Sequence, residues 1–350
     1  MFRSVRNPVP SLFAAVSVLV SSTAFAAPPA HEDVSFNVSL RSTGSVSIHA
    51  DVYNNPRDRG LTILAVHGFT ERGSMFQPLA SAIFSDDILG FAVKRIVSLD
   101  MPAHGGSGAP TLPSPLKFQD LLIEDNVSVV IQSIDALRAL GKGPQVVIGH
   151  SMGGLEVQGS QEALLAQNSS LAKHGVFGAI LLDAVPANGT QWTQSTPPDF
   201  TPFVVTDPVL GTILDLPAAL EPQAGGFTTL AGTLAPNTPS AATFVANDWV
   251  GPEPITTVLE LTGTSAPLER PFVRHNAFTL YNGTVLTVIA GSQDVLAPIV
   301  DQSILYTYLT GLPSTGVTLY RPVVAPDAVH SMYISNPTGL LDALKNGVLH

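Results

Sequence analysis

A serine stands between two glycines at residues 149–153, where the sequence reads Gly-His-Ser-Met-Gly. These residues follow a short, mostly apolar run at 145–148 and precede a stretch that is typical of a helix. A sharp strand-to-helix turn exposes the serine hydroxyl and leaves no room for side chains at the flanking positions. The pattern therefore predicts that Ser151 is a catalytic nucleophile.

A serine nucleophile needs a base and an acid. Its hydroxyl is weakly reactive at neutral pH, so an imidazole must accept the proton and a carboxylate must orient that imidazole. Asp294 follows the apolar run at 284–290, and His330 follows a predicted last strand at 316–322. Asp183 also follows an apolar run and is the alternative acid. We predict Asp294 as the acid and His330 as the base.

The reaction also needs two backbone N–H groups that bind the developing oxyanion. A predicted strand at 61–66 ends in His-Gly-Phe-Thr, where the N–H of Phe69 is a candidate donor. The N–H of Met152 would be the second donor, because it lies at the start of a predicted helix and carries the positive end of the helix dipole. We therefore predict an oxyanion hole formed by Phe69 and Met152.

The order of Ser151, Asp294 and His330 along the chain resembles that of the α/β-hydrolases. Residues 100–107 read Asp-Met-Pro-Ala-His-Gly-Gly-Ser, which is similar to the family's loop after the strand that precedes the nucleophile turn. Ala103 stands where the family usually has glycine, and we expect this departure to alter only the loop conformation. The resemblance implies a serine hydrolase that works through an acyl-enzyme.

The hydrophobic pattern favours an α/β fold with a mostly parallel central sheet flanked by helices, because short buried strands alternate with helices from residue 61 onward. Alternating residues at 34–40 and 45–52 predict an antiparallel edge hairpin. Helices are predicted at 75–84 and 118–140. The apolar stripe of the second helix is predicted to lie in the core, and it comprises Ile123, Val127, Val130, Ile131, Ile134 and Leu137.

Prolines interrupt the pattern within residues 186–283 and prevent long regular elements there. By position this segment is the insertion that forms a cap in the α/β-hydrolases. We predict a core of residues 27–185 and 284–350 with a cap of residues 186–283. Aromatic residues of the cap would either line an apolar binding wall over Ser151 or fill the cap's own small core, and the candidates for substrate binding are Trp192, Phe203 and Trp249.

Residues 1–26 have the pattern of a secretory signal peptide. Two arginines precede an apolar segment, and Ala-Phe-Ala at 24–26 predicts cleavage after Ala26. The apolar segment is shorter than the about 20 residues that span a bilayer, which argues against a membrane anchor. We expect a secreted or periplasmic protein whose stability comes from core packing, since the chain has no cysteine.

The amino-acid composition limits the kinds of partner that the protein can bind. The chain of 350 residues has a formal net charge of −11 and no cluster of lysine and arginine, so nucleic acid, stable membrane association and polyanionic substrates are disfavoured. His31 and His49 show no spacing to ligating partners, so we predict no metal and no cofactor. His67 and His104 are expected to be structural. The sequence does not indicate an oligomeric state.

These patterns predict an exported serine hydrolase that cleaves an ester or lactone of a neutral, fairly apolar small molecule. A peptidase or amidase would use the same residues but needs a charged anchor for a substrate terminus. A dehalogenase or epoxide hydrolase would carry aspartate in place of Ser151 and is disfavoured. A ligand-binding protein without turnover is a further alternative, although it would have no need of Asp294 and His330.

Overall fold

The computed structural model describes residues 29–41, 43–185, 203–215, 251–262, 283–294, 296–310 and 323–348. Within these residues eight strands form one sheet, and three short strands form a second sheet. The strands of the large sheet are β1 Ala30–Leu40, β2 Gly44–Asn54, β3 Leu61–Val66, β4 Val93–Leu99, β5 Val146–His150, β6 Gly178–Leu182, β10 Val285–Gly291 and β11 Val323–Ala325. Those of the small sheet are β7 Val204–Asp207, β8 Gly211–Leu214 and β9 Glu253–Pro254.

Helices connect these strands. They are α1 Gln77–Ser85, α2 Leu89–Ala92, α3 Ile123–Ala139, α4 Met152–Ala166, α5 Ile255–Thr262, α6 Ile299–Thr310, α7 Met332–Ser335 and α8 Pro337–Val348, and short 3-10 turns span Gly73–Phe76 and Phe118–Asp120. None of the helices in the described part of the chain is long and apolar enough to cross a membrane.

The large sheet is mostly parallel. Its strand order is β1-β2-β4-β3-β5-β6-β10-β11. The two pairings of β2 are antiparallel, and all pairings from β4 to β11 are parallel. The predicted edge hairpin and the predicted parallel sheet are therefore both confirmed. Because parallel strands end at the same edge, the loops after β3, β5, β6, β10 and β11 meet on one side of the molecule.

Both faces of the sheet are covered, as the apolar strands require. In β3, Ile63 and Ala65 pack into a core cluster with α1 and α8, whereas Leu64 and Val66 pack into a cluster with α3. This alternation follows from the two-residue period of a strand. The apolar stripe of α3 is buried as predicted, except for Ile131, which is half-buried.

The two predicted helices begin later than their apolar patterns indicate. Each is preceded by a 3-10 turn, and α3 begins only at Ile123. Leu122 has an extended backbone, and its N–H donates to a carboxylate oxygen of Asp125 at 2.8 Å. This contact replaces a missing helical hydrogen bond at the start of α3, so the helix begins there.

The small sheet and α5 belong to the segment that was predicted to form a cap. Gln119 connects this segment to the core, because its N–H donates to the carbonyl of Leu210 at 3.0 Å and its Oε1 accepts the N–H of Thr212 at 2.6 Å. The strand predicted at 316–322 lies outside the described residues. The described last strand is β11, which ends five residues before His330.

Ala103 adopts a φ of 64°, which is the left-handed region. Glycine reaches this region without strain, whereas a residue with a Cβ is disfavoured there by roughly 1–2 kcal/mol. The loop at residues 100–107 therefore has a backbone suited to glycine, with alanine in its place.

Candidate active site

Ser151 lies in a strained turn between β5 and α4. Its φ of 51° and ψ of −117° are unusual for a residue with a side chain. Its N–H donates to the carbonyl of Leu182 at 2.9 Å, and its own carbonyl accepts the N–H of Val185 at 3.0 Å. These bonds from the neighbouring strand β6 hold the turn in place.

The glycines on either side of the serine are required by the packing. A Cβ placed on Gly149 would lie 2.5 Å from the carbonyl oxygen of Gly153, and one placed on Gly153 would lie 2.4 Å from the carbonyl oxygen of Val66. Such distances are below any real contact, so no side chain fits at either position. The prediction that the turn excludes side chains at these two positions is confirmed.

Asp294 and His330 form a buried pair. The Nδ1 of His330 donates to Oδ2 of Asp294 at 2.7 Å. The other carboxylate oxygen accepts the N–H groups of Leu296 and Ala297 at 2.7 and 3.1 Å. Burial acts to raise the pKa of Asp294, but His330 and the two N–H groups outweigh it and lower that pKa.

The same pairing acts on His330 in the opposite direction. Burial acts to lower the pKa of His330, whereas the charge and hydrogen bond of Asp294 raise it, and the net shift is upward. The imidazole is therefore held in one orientation beside a carboxylate that stabilises its protonated form. The geometry is that expected of an oriented general base.

Asp183, the alternative acid, lies beside this pair. Its carboxyl group, that of Asp294 and the ring of His330 each present an atom within 4.8 Å of the others. Its Oδ1 accepts the N–H of Gly291 at 2.9 Å. Burial, followed by the charge of Asp294, raises the pKa of Asp183 well above its ordinary value, which favours the uncharged form of Asp183. Asp294, by contrast, makes the 2.7 Å contact with His330.

The two residues predicted to carry the oxyanion donors lie in segments next to Ser151. The loop after β3, residues 67–71, is called the β3 loop below. A Cβ placed on Gly68 would lie 2.9 Å from the Cβ of Ser151, so this loop packs against the serine. Phe69 follows directly and is half-buried. Met152 is the first residue of α4, so its N–H has no acceptor within the helix.

Three buried residues that sequence reasoning missed join these parts, namely Glu71, His150 and Tyr333. Oε2 of Glu71 accepts the N–H of Gly68 at 2.6 Å and Nδ1–H of His150 at 2.9 Å. The hydroxyl of Tyr333 donates to Oε1 of Glu71 at 2.9 Å. The carboxylate of Glu71 thus accepts hydrogen bonds from three elements of the fold.

His150 also contacts the segment that carries the predicted base. Its Nε2–H donates to the carbonyl of His330 at 2.8 Å, and the two imidazole rings lie 4.8 Å apart. His150, which directly precedes Ser151, therefore contacts the residue that is the predicted base. In the sequence, the one indication that His150 supports the site was its position directly before Ser151. That position does not reveal that its ring contacts Glu71 and His330.

This geometry can be compared with known proteins. The sequence profile of the alpha/beta hydrolase family matches residues 63–343, which is more than half of the chain. The chain belongs to this family. No curated protein matches this α/β-hydrolase in sequence.

Solved structures share the fold of this α/β-hydrolase. A 2-hydroxy-6-oxo-6-phenylhexa-2,4-dienoate hydrolase from Rhodococcus sp. has a TM-score of 0.59 and 18% identity, covering 92% of this chain and 100% of that one. An esterase from Thermogutta terrifontis has a TM-score of 0.56 and 16% identity, and the match covers 89% of this chain and 97% of the esterase. An esterase from Exiguobacterium antarcticum has a TM-score of 0.54 and 14% identity, and the match covers 89% of this chain and 98% of the esterase. At these identities the likeness shows the fold alone.

The predicted substrate-binding aromatics fall mostly outside the described part of this α/β-hydrolase. Trp192 and Trp249 are not among the described residues. Phe203 is half-buried and packs against the core cluster that contains α1 and α8. Its backbone carbonyl accepts the N–H of Asp215 at 3.0 Å. The binding role of these three residues stays a prediction.

His31 and His49, which show no spaced ligating partner in the sequence, both lie beside carboxylates in the structure. Nε2 of His31 lies 2.8 Å from Asp51, and Nδ1 of His49 lies 2.7 Å from Asp100. Pairing of β1 with β2 places Asp33 directly opposite Asp51, a register that sequence spacing does not reveal. Hydrogen bonding to Asp100, against a smaller effect of burial, raises the pKa of His49 to about 9.

Three groups in the described residues have atoms close enough to ligate one metal ion. They are His31, Asp33 and Asp51; His49, Asp51 and Asp100; and Asp183, Asp294 and His330. In each group a histidine nitrogen is already hydrogen-bonded to a carboxylate oxygen. The absence of a metal stays a prediction. His67 agrees with its predicted structural role, because its Nε2 accepts the N–H of Met101 at 3.1 Å.

Proposed function

We propose that this protein is a serine esterase that cleaves a carboxylic ester or lactone of a neutral, fairly apolar compound. The observation that carries the proposal is the buried 2.7 Å contact between His330 and Asp294, on loops that meet beside the strained turn at Ser151. A carboxylate-oriented imidazole next to a serine at a sharp strand-to-helix turn is the arrangement that acyl transfer requires.

In the proposed reaction the Oγ of Ser151 attacks the substrate carbonyl carbon, and Nε2 of His330 accepts the hydroxyl proton. Asp294 keeps Nδ1 protonated and stabilises the imidazolium. The N–H groups of Phe69 and Met152 bind the oxyanion. His330 then returns its proton to the leaving alcohol, and water attacks the resulting acyl-enzyme in a second cycle of the same steps.

The surroundings of Ser151 support an apolar substrate. Met152, Val185 and Leu155 belong to one buried apolar cluster, against which the half-buried Phe69 packs. Apolar walls favour burial of acyl carbons by about 25 cal/mol per Å² of surface removed from water. The overall charge of −11 also disfavours anionic substrates through long-range repulsion.

We further propose that residues 186–283 form a cap and that the protein is exported after cleavage behind Ala26. The contacts of Gln119 with Leu210 and Thr212 support docking of the inserted segment on the core. The export proposal depends on the sequence of residues 1–26 alone. Mass spectrometry of the protein recovered from the exporting cell would test it, because a mature chain that begins at Ala27 is expected.

The experiment that tests the esterase proposal is release of p-nitrophenol from acyl esters of increasing chain length. The mature protein and Ser151→Ala are compared, and Ser160→Ala is the matched control. Ser160 is a buried serine of α4 whose hydroxyl donates to the carbonyl of Glu156 at 2.8 Å, away from the turn. We expect the Ser151→Ala substitution to abolish turnover and Ser160→Ala to retain it.

The chain-length optimum would report the size of the acyl pocket. Turnover that survives Ser151→Ala would reject the serine mechanism. No turnover of any ester by the unsubstituted protein would reject the esterase proposal, and tests with amides and with ligand binding would then distinguish the remaining alternatives.

A further inference from the structure

The β3 loop presents three successive N–H groups, from Gly68, Phe69 and Thr70. The first donates to Oε2 of Glu71 at 2.6 Å, and the third donates to Oε1 of Glu253 at 2.7 Å. Both carboxylates are buried. The candidate oxyanion donor, the N–H of Phe69, thus lies between two peptide groups that are each fixed by a buried glutamate.

Glu71 fixes the Gly68 end of the β3 loop through several hydrogen bonds. Besides the N–H of Gly68 it accepts hydrogen bonds from His150 and Tyr333, at 2.9 Å each. Burial acts to raise the pKa of Glu71, but the charge of His150 and the hydrogen bonds from His150 and the Gly68 N–H lower it. The carboxylate is therefore ionised, and hydrogen bonds from N–H groups to an ionised acceptor are shorter and stronger than neutral ones.

Glu253 belongs to the inserted segment, 183 residues from Thr70 in sequence. It lies on β9 and has Nε2 of His104 at 3.3 Å from its Oε1. The N–H of Gly251 donates to the carbonyl of Thr70 at 2.9 Å. Both polar groups of the Thr70 backbone are therefore bound by the inserted segment.

This inserted segment is itself fixed to the core. A Cβ placed on Gly251 would lie 1.8 Å from the ring of His104, so the segment lies directly against that ring. The next helix, α5, is fixed as well, because Thr257 donates to the carbonyl of Leu121 at 3.0 Å. Glu253 is therefore a rigid acceptor for the loop.

The loop needs such support because its backbone is strained. Thr70 has a φ of 59°, and a β-branched residue in the left-handed region is a genuine outlier. A residue in such a conformation costs of order 1–3 kcal/mol and persists only when its surroundings impose it. The hydrogen bond from the Thr70 N–H to Glu253 and the one from the Gly251 N–H to the Thr70 carbonyl impose it here.

We propose that Glu71 and Glu253 are positioning residues that fix the Phe69 N–H in the oxyanion hole, and that the inserted segment therefore completes the catalytic machinery. The inference rests on the proposed esterase function. Neither glutamate touches the substrate. Each acts through the peptide group next to Phe69, because rotation of either peptide would turn the oxyanion donor away from the substrate oxygen.

The test compares Glu71→Gln and Glu253→Gln, each of which removes the charge while preserving the shape of the side chain. Loss of a whole oxyanion donor costs about 10²–10³ in kcat, so misplacement of one is expected to lower kcat by about 10- to 100-fold. We expect KM to change little, because the donor acts mainly on the transition state.

The decisive readout is binding of an alkyl boronic acid, which forms a tetrahedral adduct with a reactive serine. Its inhibition constant is expected to rise in parallel with the fall in kcat/KM across the variants. If the glutamates had a merely structural role, their substitution would reduce the amount of folded enzyme but would not weaken binding of the boronic acid to each competent site. Titration with a fluorophosphonate counts the competent sites, so that kcat is given per site.

Glu156→Gln is the matched control. Glu156 is also a fully buried glutamate, and its Oε1 accepts a hydrogen bond from Asn126 at 2.9 Å. Burial raises the pKa of Glu156 well above its ordinary value, which favours the uncharged form, and glutamine is a close uncharged substitute. We expect Glu156→Gln to match the unsubstituted protein in kcat and in boronate affinity.

If a glutamine variant does not fold, the corresponding aspartate variant keeps the charge but withdraws the acceptor, and the same loss of boronate affinity is expected. Unchanged kcat and boronate affinity per site in the folded variants of both glutamates would overturn the proposal. Activity of Ser151→Ala would instead reject the esterase function itself, so the two failures are distinguishable.

Discussion

Two buried histidine–carboxylate pairs lie side by side in this protein. His330 contacts Asp294 at 2.7 Å, and His150 contacts Glu71 at 2.9 Å, with the imidazole rings 4.8 Å apart. The pairs are alike in burial and in the nitrogen that meets the carboxylate. Proximity to a carboxylate therefore does not distinguish a catalytic histidine from a structural one.

The second ring nitrogen makes the difference. Nε2–H of His150 donates to the carbonyl of His330, so both nitrogens of His150 are engaged in holding the fold. Among the described residues, none forms a hydrogen bond with Nε2 of His330. A general base needs one nitrogen available for the substrate proton. We therefore propose that His330 transfers the proton and that His150 is a positioning residue.

The largest expected effect is that of His330→Gln. Loss of the base is expected to lower kcat by about 10⁴- to 10⁶-fold, because Ser151 would have no proton acceptor. His150→Gln is the matched variant in the neighbouring pair. We expect it to reduce stability by about 1–3 kcal/mol, through unsatisfied buried partners, with a much smaller loss of activity.

Ester turnover measured together with urea unfolding would separate these outcomes. An activity loss in His150→Gln as large as that in His330→Gln, in protein of normal stability, would contradict the division of roles.

The next effect is that of Asp294→Asn, which is expected to lower kcat by about 10⁴-fold because asparagine favours the wrong imidazole tautomer. Asp183→Asn is the control. The raised pKa of Asp183 favours its uncharged form beside Asp294, and asparagine has the same shape and no charge. Steady-state kinetics would decide between them. Near-normal turnover in Asp294→Asn together with its loss in Asp183→Asn would show that Asp183 is the acid.

The pH dependence of kcat/KM is expected to have an acid limb set by His330. Only the neutral imidazole accepts the serine proton, so activity falls about tenfold per pH unit below the pKa of His330. Asp294 raises that pKa above its ordinary value of 6.5, so the midpoint of the limb is expected above 6.5. In Asp294→Asn the carboxylate is gone while the burial remains, so the residual activity should have a lower midpoint. A midpoint that is unchanged by this substitution would reject the assignment.

The smallest expected effect is that of Tyr333→Phe in the neighbouring pair. It removes one hydrogen bond to the ionised Glu71, which is expected to reduce the unfolding free energy by about 1.5–3 kcal/mol. Thermal or urea unfolding measures this change. Ser85→Ala removes an exposed side-chain hydrogen bond and should change stability by less than about 0.5 kcal/mol. Equal stability of the two variants would indicate that Glu71 does not depend on Tyr333.

Local chemistry was readable from the sequence. The near-continuous burial of β3, the helical stripe of α3 and the glycines around Ser151 were predicted because each depends on neighbours within a few residues. The sequence also indicated that Ser151, Asp294 and His330 each follow a strand. Parallel strands end at one edge of a sheet, so the loops after them lie together.

Contacts between distant segments were decided by the tertiary structure alone. Asp294 and Asp183 follow different strands, and only the adjacency of β6 and β10 placed both carboxylates beside His330. No sequence pattern pointed to Glu71 or Glu253. The role of a buried glutamate is recognisable only from the N–H groups that donate hydrogen bonds to it. The sequence by itself determined which residues could perform the chemistry, and the packing of segments far apart in the chain determined which neighbours hold them in position.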